Sequence, residues 1–256
     1  MHGPGAVCNF AASFPAHRTQ QGEDPGVIET QKRKAAEKAV EFVQSGMRVG
    51  LGTGSTARHV LDVIAEKLEE GSLEDIVGVP TSRATEMHAR ASGIPLATLE
   101  EVQSLDVTID GADEIDPHLE LIKGHGGALL WEKLVACASR RLIIVADTSK
   151  LVDRLGSRMA LPVEVIPFGW STHLEFFQQC GARAELRRNR GEPVVTDGGH
   201  FLVDCHFDGG IADPAAIATR FKARPGIVDT GLFLGLAQEA VVAGADGVRL
   251  LTRSGA

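Results

Sequence analysis

The sequence predicts an α/β protein: a mostly parallel sheet covered by helices on both faces, followed by a smaller α+β unit. Three observations predict it. Short apolar strands alternate with helical segments from about residue 31 to residue 150. Polar or glycine-rich turns follow one strand after another. Near Leu161 the order changes to βαββαβ, which suits a small ferredoxin-like split unit.

Residues 1 to about 28 are rich in Gly, Pro, Ala, Gln and Ser without periodicity, and are expected to form a flexible N-terminal extension. Gln31 to Gly46 reads as a helix closed by Gly46. Met47 to Leu51 is a short strand, and Gly52 to Thr56 a glycine-rich turn. Ala57 to Glu70 is a helix with an apolar stripe at Val60, Ile64 and Leu68. Ile76 to Val79 is the next strand, followed by Thr81, Ser82 and a helix to about Ser92. Asp106 to Ile109 and Leu142 to Ala146 are further strands, with a helix from Ala128 to Arg141 between them.

In the smaller unit, Pro162 to Phe168, Ala182 to Arg188, His200 to Phe207 and Ile227 to Leu234 are strand-like. Thr172 to Gln179 and Pro214 to Lys222 are helix-like. Gly235 to Leu251 is expected to hold a helix and a strand that return to the first unit. The domain bounds that follow are 29–158 with 232–256 for the larger unit and 159–231 for the smaller.

Composition narrows the function. With 256 residues, 43% hydrophobic, the chain is long enough for a proper core. A net charge of -8 argues against nucleic acid or an anionic membrane as the main partner. No apolar run approaches the ~18 residues of a membrane span. No signal-peptide pattern is evident at the N-terminus. Cys8, Cys137, Cys180 and Cys205 lie far apart, with neither zinc spacing nor a disulfide framework, which suits a cytoplasmic protein. His59, His88, His118, His125 and His173 show no HxxxH or HxH spacing, so no catalytic metal is expected.

The candidate site collects at strand ends, where open α/β sheets bind ligands. GLGTGSTARHV lacks the Gly-Lys-Ser/Thr of a Walker loop and the spacing of a dinucleotide fingerprint. What remains is a loop of Gly52, Thr53, Gly54, Ser55 and Thr56 at a helix N-terminus, suited to a phosphate or to N-capping by its hydroxyls. Asp110, Asp113, Glu114 and Asp116 are too many carboxylates for one turn, and Lys123 is the nearest cation to relieve them. Gly124 to Gly127 then allows close backbone approach.

Projected at 100° per residue, Glu132 falls beside Ala128, Val135, Ala136 and Ser139, on the inward face of its helix. Lys133, Arg140 and Arg141 fall away from that face. A carboxylate buried there is costly unless partnered or used, and burial raises its pKa toward that of a general base. Lys150 in ADTSK, and Lys32 near the start of its helix, are further anion-binding candidates.

Taken together, GLGTGST, TIDGADEID, LIKGHGGALLWEK and IIVADTSKLVDRLG resemble the A type of ribose-5-phosphate isomerase, over nearly the whole chain from Gln31. The resemblance implies a Rossmann-like three-layer domain plus a ferredoxin-like domain, in a homodimer or homotetramer. It implies interconversion of ribose 5-phosphate and ribulose 5-phosphate in the pentose phosphate pathway, without metal or other cofactor. It implies that Glu132 carries a proton between C1 and C2, while Asp110, Asp113 and Lys123 assist ring opening and stabilise an enediolate. It places Gly52, Thr53, Gly54, Ser55, Thr56, Gly124, Gly126 and Lys150 in the phosphate- and substrate-binding region, with Lys32 a weaker candidate. This chain departs from the family at His125, often a glycine, and at Trp131, often an arginine. Two other readings use related features: an amino-sugar phosphate deaminase or CoA transferase on the same kind of sheet, and a sugar-phosphate sensor. A sensor would carry a helix-turn-helix and a basic patch, and neither is evident.

Overall fold

The computed structural model describes residues 25–253. A six-stranded sheet runs in the order Gly247–Thr252, Glu239–Gly244, Leu142–Asp147, Val107–Gly111, Arg48–Leu51, Val77–Pro80. Its first pairing is antiparallel and the other four are parallel. Both faces are covered. Along Leu142–Asp147, Ile143 and Val145 enter a core with Val60, Ile64 and Ala39, whereas Ile144 and Ala146 enter one with Ala136 and Phe233. That alternation with burial on both sides marks a three-layer α/β arrangement.

A second sheet of four antiparallel strands has the order Ile227–Thr230, Leu161–Val165, Phe201–Phe207, Ala182–Leu186. Helices Leu174–Gln179 and Pro214–Lys222 complete the expected βαββαβ order. Asp213 caps the second helix by accepting from Ala216 N, and Pro214 occupies its first turn. Phe177 and Phe221 meet at 4.9 Å between ring centroids in this unit's core. A three-stranded sheet, Leu232–Phe233, Leu121–Ile122 and Glu114–Ile115, is hydrogen-bonded separately from both and packs into both cores.

Several expected elements differ. The first helix spans Pro25–Val40, so residues 25–28 belong to it rather than to an extension, while residues 1–24 lie outside the described chain. Tight backbone bonds from Phe42 N to Ala39 O and from Val43 N to Val40 O end this helix. Gly46, at φ 82°, only turns the chain into the strand. The helix expected over Ala128–Arg141 is shorter, Leu129–Cys137. The strand expected over Ile227–Leu234 is two strands on different sheets, divided at Gly231. Gly231 has no room for a Cβ, which would sit 2.1 Å from Lys123 O.

The closing segment holds two antiparallel strands and no helix, Glu239–Gly244 and Gly247–Thr252. Ala240, Val241, Val242 and Ala243 are all buried inside the sheet, so their continuous apolar run is strand burial, not a helical face. Among the described residues no helix is long and apolar enough to cross a membrane.

Candidate active site

The sheet changes direction at one point. From Arg48–Leu51 the chain adds Val77–Pro80 on one side, then crosses to place Val107–Gly111 on the other. Ligands in such sheets bind at that switch, beyond the carboxyl ends of the strands. Here those ends carry Gly52 to Thr56 and Asp110 to Asp113.

The glycine loop is shaped by close approach. A Cβ on Gly52 would lie 2.3 Å from Asp110 Oδ1, so only glycine lets Thr53 N donate to that oxygen at 2.9 Å. Gly54, at φ 117°, is the N-cap of helix Ser55–Glu69 and supplies no side-chain acceptor to its first turn. The hydroxyls therefore do not cap this helix, and the positive end of a 15-residue helix faces a cavity of about 100 Å³. Gly54, Ser55, Thr56, Gly124, Gly126 and Lys150 are among its walls, and Asp113, Lys123 and Glu132 complete its charged side. Thr53 also lines it, but its hydroxyl is engaged elsewhere, 2.8 Å from Thr81 Oγ1 and donating to Ser82 Oγ at 2.8 Å.

Lys123 is buried at the centre of the charges. Its Nζ donates to Gly111 O at 2.5 Å and to Glu132 Oε1 at 3.0 Å, and lies 3.1 Å from Asp110 Oδ2 as a charge contact. Burial alone would lower its pKa, but the carboxylates of Asp110, Glu132 and Asp113 outweigh that and hold it above its ordinary value. One ammonium between two buried carboxyls can balance only one negative charge. Asp110 Oδ1 accepts from two backbone N–H groups, Thr53 N and Gly111 N, which favours its charged form. Against these, burial still pushes Asp110 upward.

Glu132 has no such donors. Among the described residues its Oε1 meets only Lys123, and its Oε2 has no hydrogen-bond partner. Burial pushes its carboxyl up to about 8, opposed by Lys123 and reinforced by the charge of Asp110. Glu132 lies 4% exposed on its helix beside buried Leu129, Val135 and Ala136.

The structure divides the remaining carboxylates by role. Asp113 Oδ2 accepts from His125 N at 3.0 Å at the cavity wall. Glu114 faces elsewhere, accepting from Gly156, Arg158 and Met159 backbone N–H groups, and so fixes a loop. Asp116 Oδ1 accepts from His118 N and Glu120 N within its own turn. Lys32 is not among the cavity's walls and donates to Glu29 at 2.7 Å. Lys133, projected away from the inward face, is itself mostly enclosed, donating to Asp229 at 2.7 Å and to Thr230 O at 2.6 Å. His125 lies 3.0 Å from Ala160 O through Nε2. Trp131 lines a separate groove of about 650 Å³ with Leu96, Leu99 and Leu134, which contains none of the charged cluster.

Two partners of the site were not legible as such. Phe233 places its ring 5.5 Å from Lys123 Nζ, and Arg187 donates to the carbonyls of Gly124 and His125. Neither belongs to a chemical motif, and each reaches the site from a distant part of the chain. Among the described residues no group of three or more His, Cys, Asp or Glu side chains could hold a metal ion.

A buried lysine–carboxylate cluster lies at the switch point of a three-layer sheet, beside an uncapped helix N-terminus, an arrangement of the class found in α/β enzymes that act on small ligands. The family model of ribose 5-phosphate isomerase A (phosphoriboisomerase A) matches residues 77–247. Ribose-5-phosphate isomerase A of Roseiflexus castenholzii is 52% identical over 218 residues, 85% of this chain and 93% of that protein. Its counterpart from Chloroflexus aurantiacus is 52% identical over 227 residues, covering 88% and 95%. The solved ribose 5-phosphate isomerase from Plasmodium falciparum superposes with a TM-score of 0.86 at 43% identity, covering 88% of this chain and 99% of that one. A D-ribose-5-phosphate isomerase solved in complex with phospho-erythronic acid also gives 0.86, at 40% identity and the same coverage. The chain belongs to the ribose 5-phosphate isomerase A family.

Proposed function

We propose that the protein interconverts ribose 5-phosphate and ribulose 5-phosphate, with Glu132 moving a proton between C1 and C2. The observation that carries this reading is Glu132 itself: a buried carboxyl at the cavity wall, raised by burial, with one oxygen on Lys123 and the other without a hydrogen-bond partner among the described residues. A base poised near neutrality suits proton removal from carbon next to a carbonyl. The same carboxyl can return the proton one carbon away, on the same face of a planar enediolate.

Lys123 stabilises the oxygen that gains charge, from a position already fixed by Gly111 O. Asp110 and Asp113 assist opening of the sugar ring. The first turn of helix Ser55–Glu69, with Ser55, Thr56 and Lys150, holds the phosphate and so places C2 beside Glu132. The relative solved with phospho-erythronic acid, a phosphorylated sugar acid, supports a ligand of this class. Thr53 and Gly52 act by shaping the loop, and Lys32 supports the site only by leaving Glu29.

We also read residues 29–158 with 232–256 as the catalytic domain, 159–231 as the smaller one, and the cytoplasmic protein as a homodimer or homotetramer. Light scattering of the purified protein checks the assembly. Incubation with ribose 5-phosphate checks the activity: ketopentose forms if the reading holds, and none forms if it fails.

A further inference from the structure

Arg187 lies just past the strand Ala182–Leu186 of the antiparallel sheet, yet its guanidinium reaches the glycine loop of the cavity. Nη1 donates to Gly124 O at 2.9 Å and to His125 O at 3.0 Å. Its other edge is held by one carboxylate: Nε donates to Asp204 Oδ2 at 2.8 Å, and Nη2 pairs with Asp204 Oδ1. The fork is thus fixed bidentately and mostly enclosed, with 15% of the Arg187 side chain and 17% of the Asp204 side chain exposed.

The peptide unit joining Gly124 to His125 is trans, so its C=O and N–H point in opposite directions. Its C=O accepts from Arg187, and its N–H donates to Asp113 Oδ2 at 3.0 Å. One rigid plane is therefore gripped from both sides. A cation on the carbonyl side polarises the amide and strengthens the bond on the N–H side. Gly124, at φ 108°, has wide backbone freedom of its own, and its carbonyl also accepts from Gly127 N at 3.0 Å within the glycine turn.

We infer that Arg187, locked by Asp204, is a positioning residue for the reaction, acting through the Gly124–His125 peptide to fix Asp113 and the cavity wall. The inference rests on the isomerase reading above. It makes the antiparallel sheet a brace for the chemistry, although none of its residues lines the cavity.

Steady-state kinetics with ribose 5-phosphate test it on wild type, Arg187→Ala, Asp204→Asn, Asp113→Ala, Arg187→Ala with Asp113→Ala, and Glu132→Gln. Arg187→Ala is expected to lower kcat by about 10- to 100-fold and to leave KM within about threefold. Asp204→Asn should show the same split more weakly. In the Asp113→Ala background the arginine substitution should cost less than about threefold, because its target is gone. An unchanged kcat in Arg187→Ala overturns the inference, as does a rise in KM alone, or an undiminished loss without Asp113. If Arg187→Ala fails to fold, Asp204→Asn decides by the same split. Inactive Glu132→Gln beside normal arginine and aspartate variants sinks this inference alone. Wild-type protein that does not turn over ribose 5-phosphate sinks the isomerase reading and this one with it.

Discussion

Glu132 Oε1 sits 3.0 Å from Lys123 Nζ, while Glu132 Oε2 has no hydrogen-bond partner among the described residues. The pair is asymmetric: the lysine Nζ also meets Gly111 O, Asp110 and the Phe233 ring, whereas the glutamate carboxyl has no further polar contact among the described residues. The lysine is accordingly fixed, and in the proposed reaction the glutamate is the member that takes and releases the proton.

The pH dependence follows from that asymmetry. Glu132 must be ionised to act as base, and burial raises it to about 8. We expect kcat/KM to rise with pH on a limb near 8, well above the range of an ordinary glutamate. Because the Asp110 charge helps raise Glu132, Asp110→Asn should move the limb to lower pH. A pH–rate profile that is flat from about pH 6 to 9 would contradict this.

Stability should carry the opposite signature. A carboxyl with a raised pKa binds its proton more tightly in the folded state than in the unfolded one. Its cost to folding is absent below its ordinary value of 4.5 and grows as pH rises toward about 8. Glu132→Gln should therefore melt near the wild-type temperature at low pH. By pH 8.5 it should melt a few degrees higher, at about 2–4 °C per kcal/mol. Scanning calorimetry across that range checks the sign; a gap that shrinks with rising pH refutes the assignment.

The phosphate end makes a separate prediction. Thr56→Ala and Lys150→Ala should chiefly raise KM for ribose 5-phosphate, by about tenfold each, since charge-assisted contacts contribute roughly 1.5–3 kcal/mol. Normal KM with lowered kcat in both would move the phosphate elsewhere.

Gly52 is predicted to be intolerant for a steric reason. Gly52→Ala drives a Cβ to 2.3 Å from Asp110 Oδ1 and 2.5 Å from its Cα. The backbone must shift, which costs about 1–3 kcal/mol and disturbs the Thr53 N–Asp110 bond. The melting temperature and kcat should fall together; a variant of normal stability would show that the loop is looser than it looks.

The legibility of the chain in its sequence varied with the range of the contacts involved. The strand end at Leu51 was readable because its apolar run stops at glycine, whereas the strand expected over Asp106–Ile109 runs over Val107–Gly111, with Asp110 and Gly111 still paired in the sheet. Glu132 was readable from helical phase, since burial on one face is a local geometric property. Lys133 lies off that face as the projection has it, but its cover was not readable, because the Asp229 carboxylate that pairs with it comes from 96 residues away. The closing hairpin was obscured because a fully buried strand loses its alternation and resembles an apolar helix segment. Arg187 was invisible for the reason Lys133 was: its partners are 62 and 63 residues distant, and nothing near it in sequence marks them.

The central claim is that Glu132 moves the proton in a ribose 5-phosphate isomerase. The most direct measurement is ketopentose formation from ribose 5-phosphate by wild type and by Glu132→Gln, with phosphate binding measured in both. Wild type is expected to turn over, the variant to lose about 10³-fold in kcat, and phosphate binding to stay unaltered in both. Near-normal kcat in Glu132→Gln would contradict it.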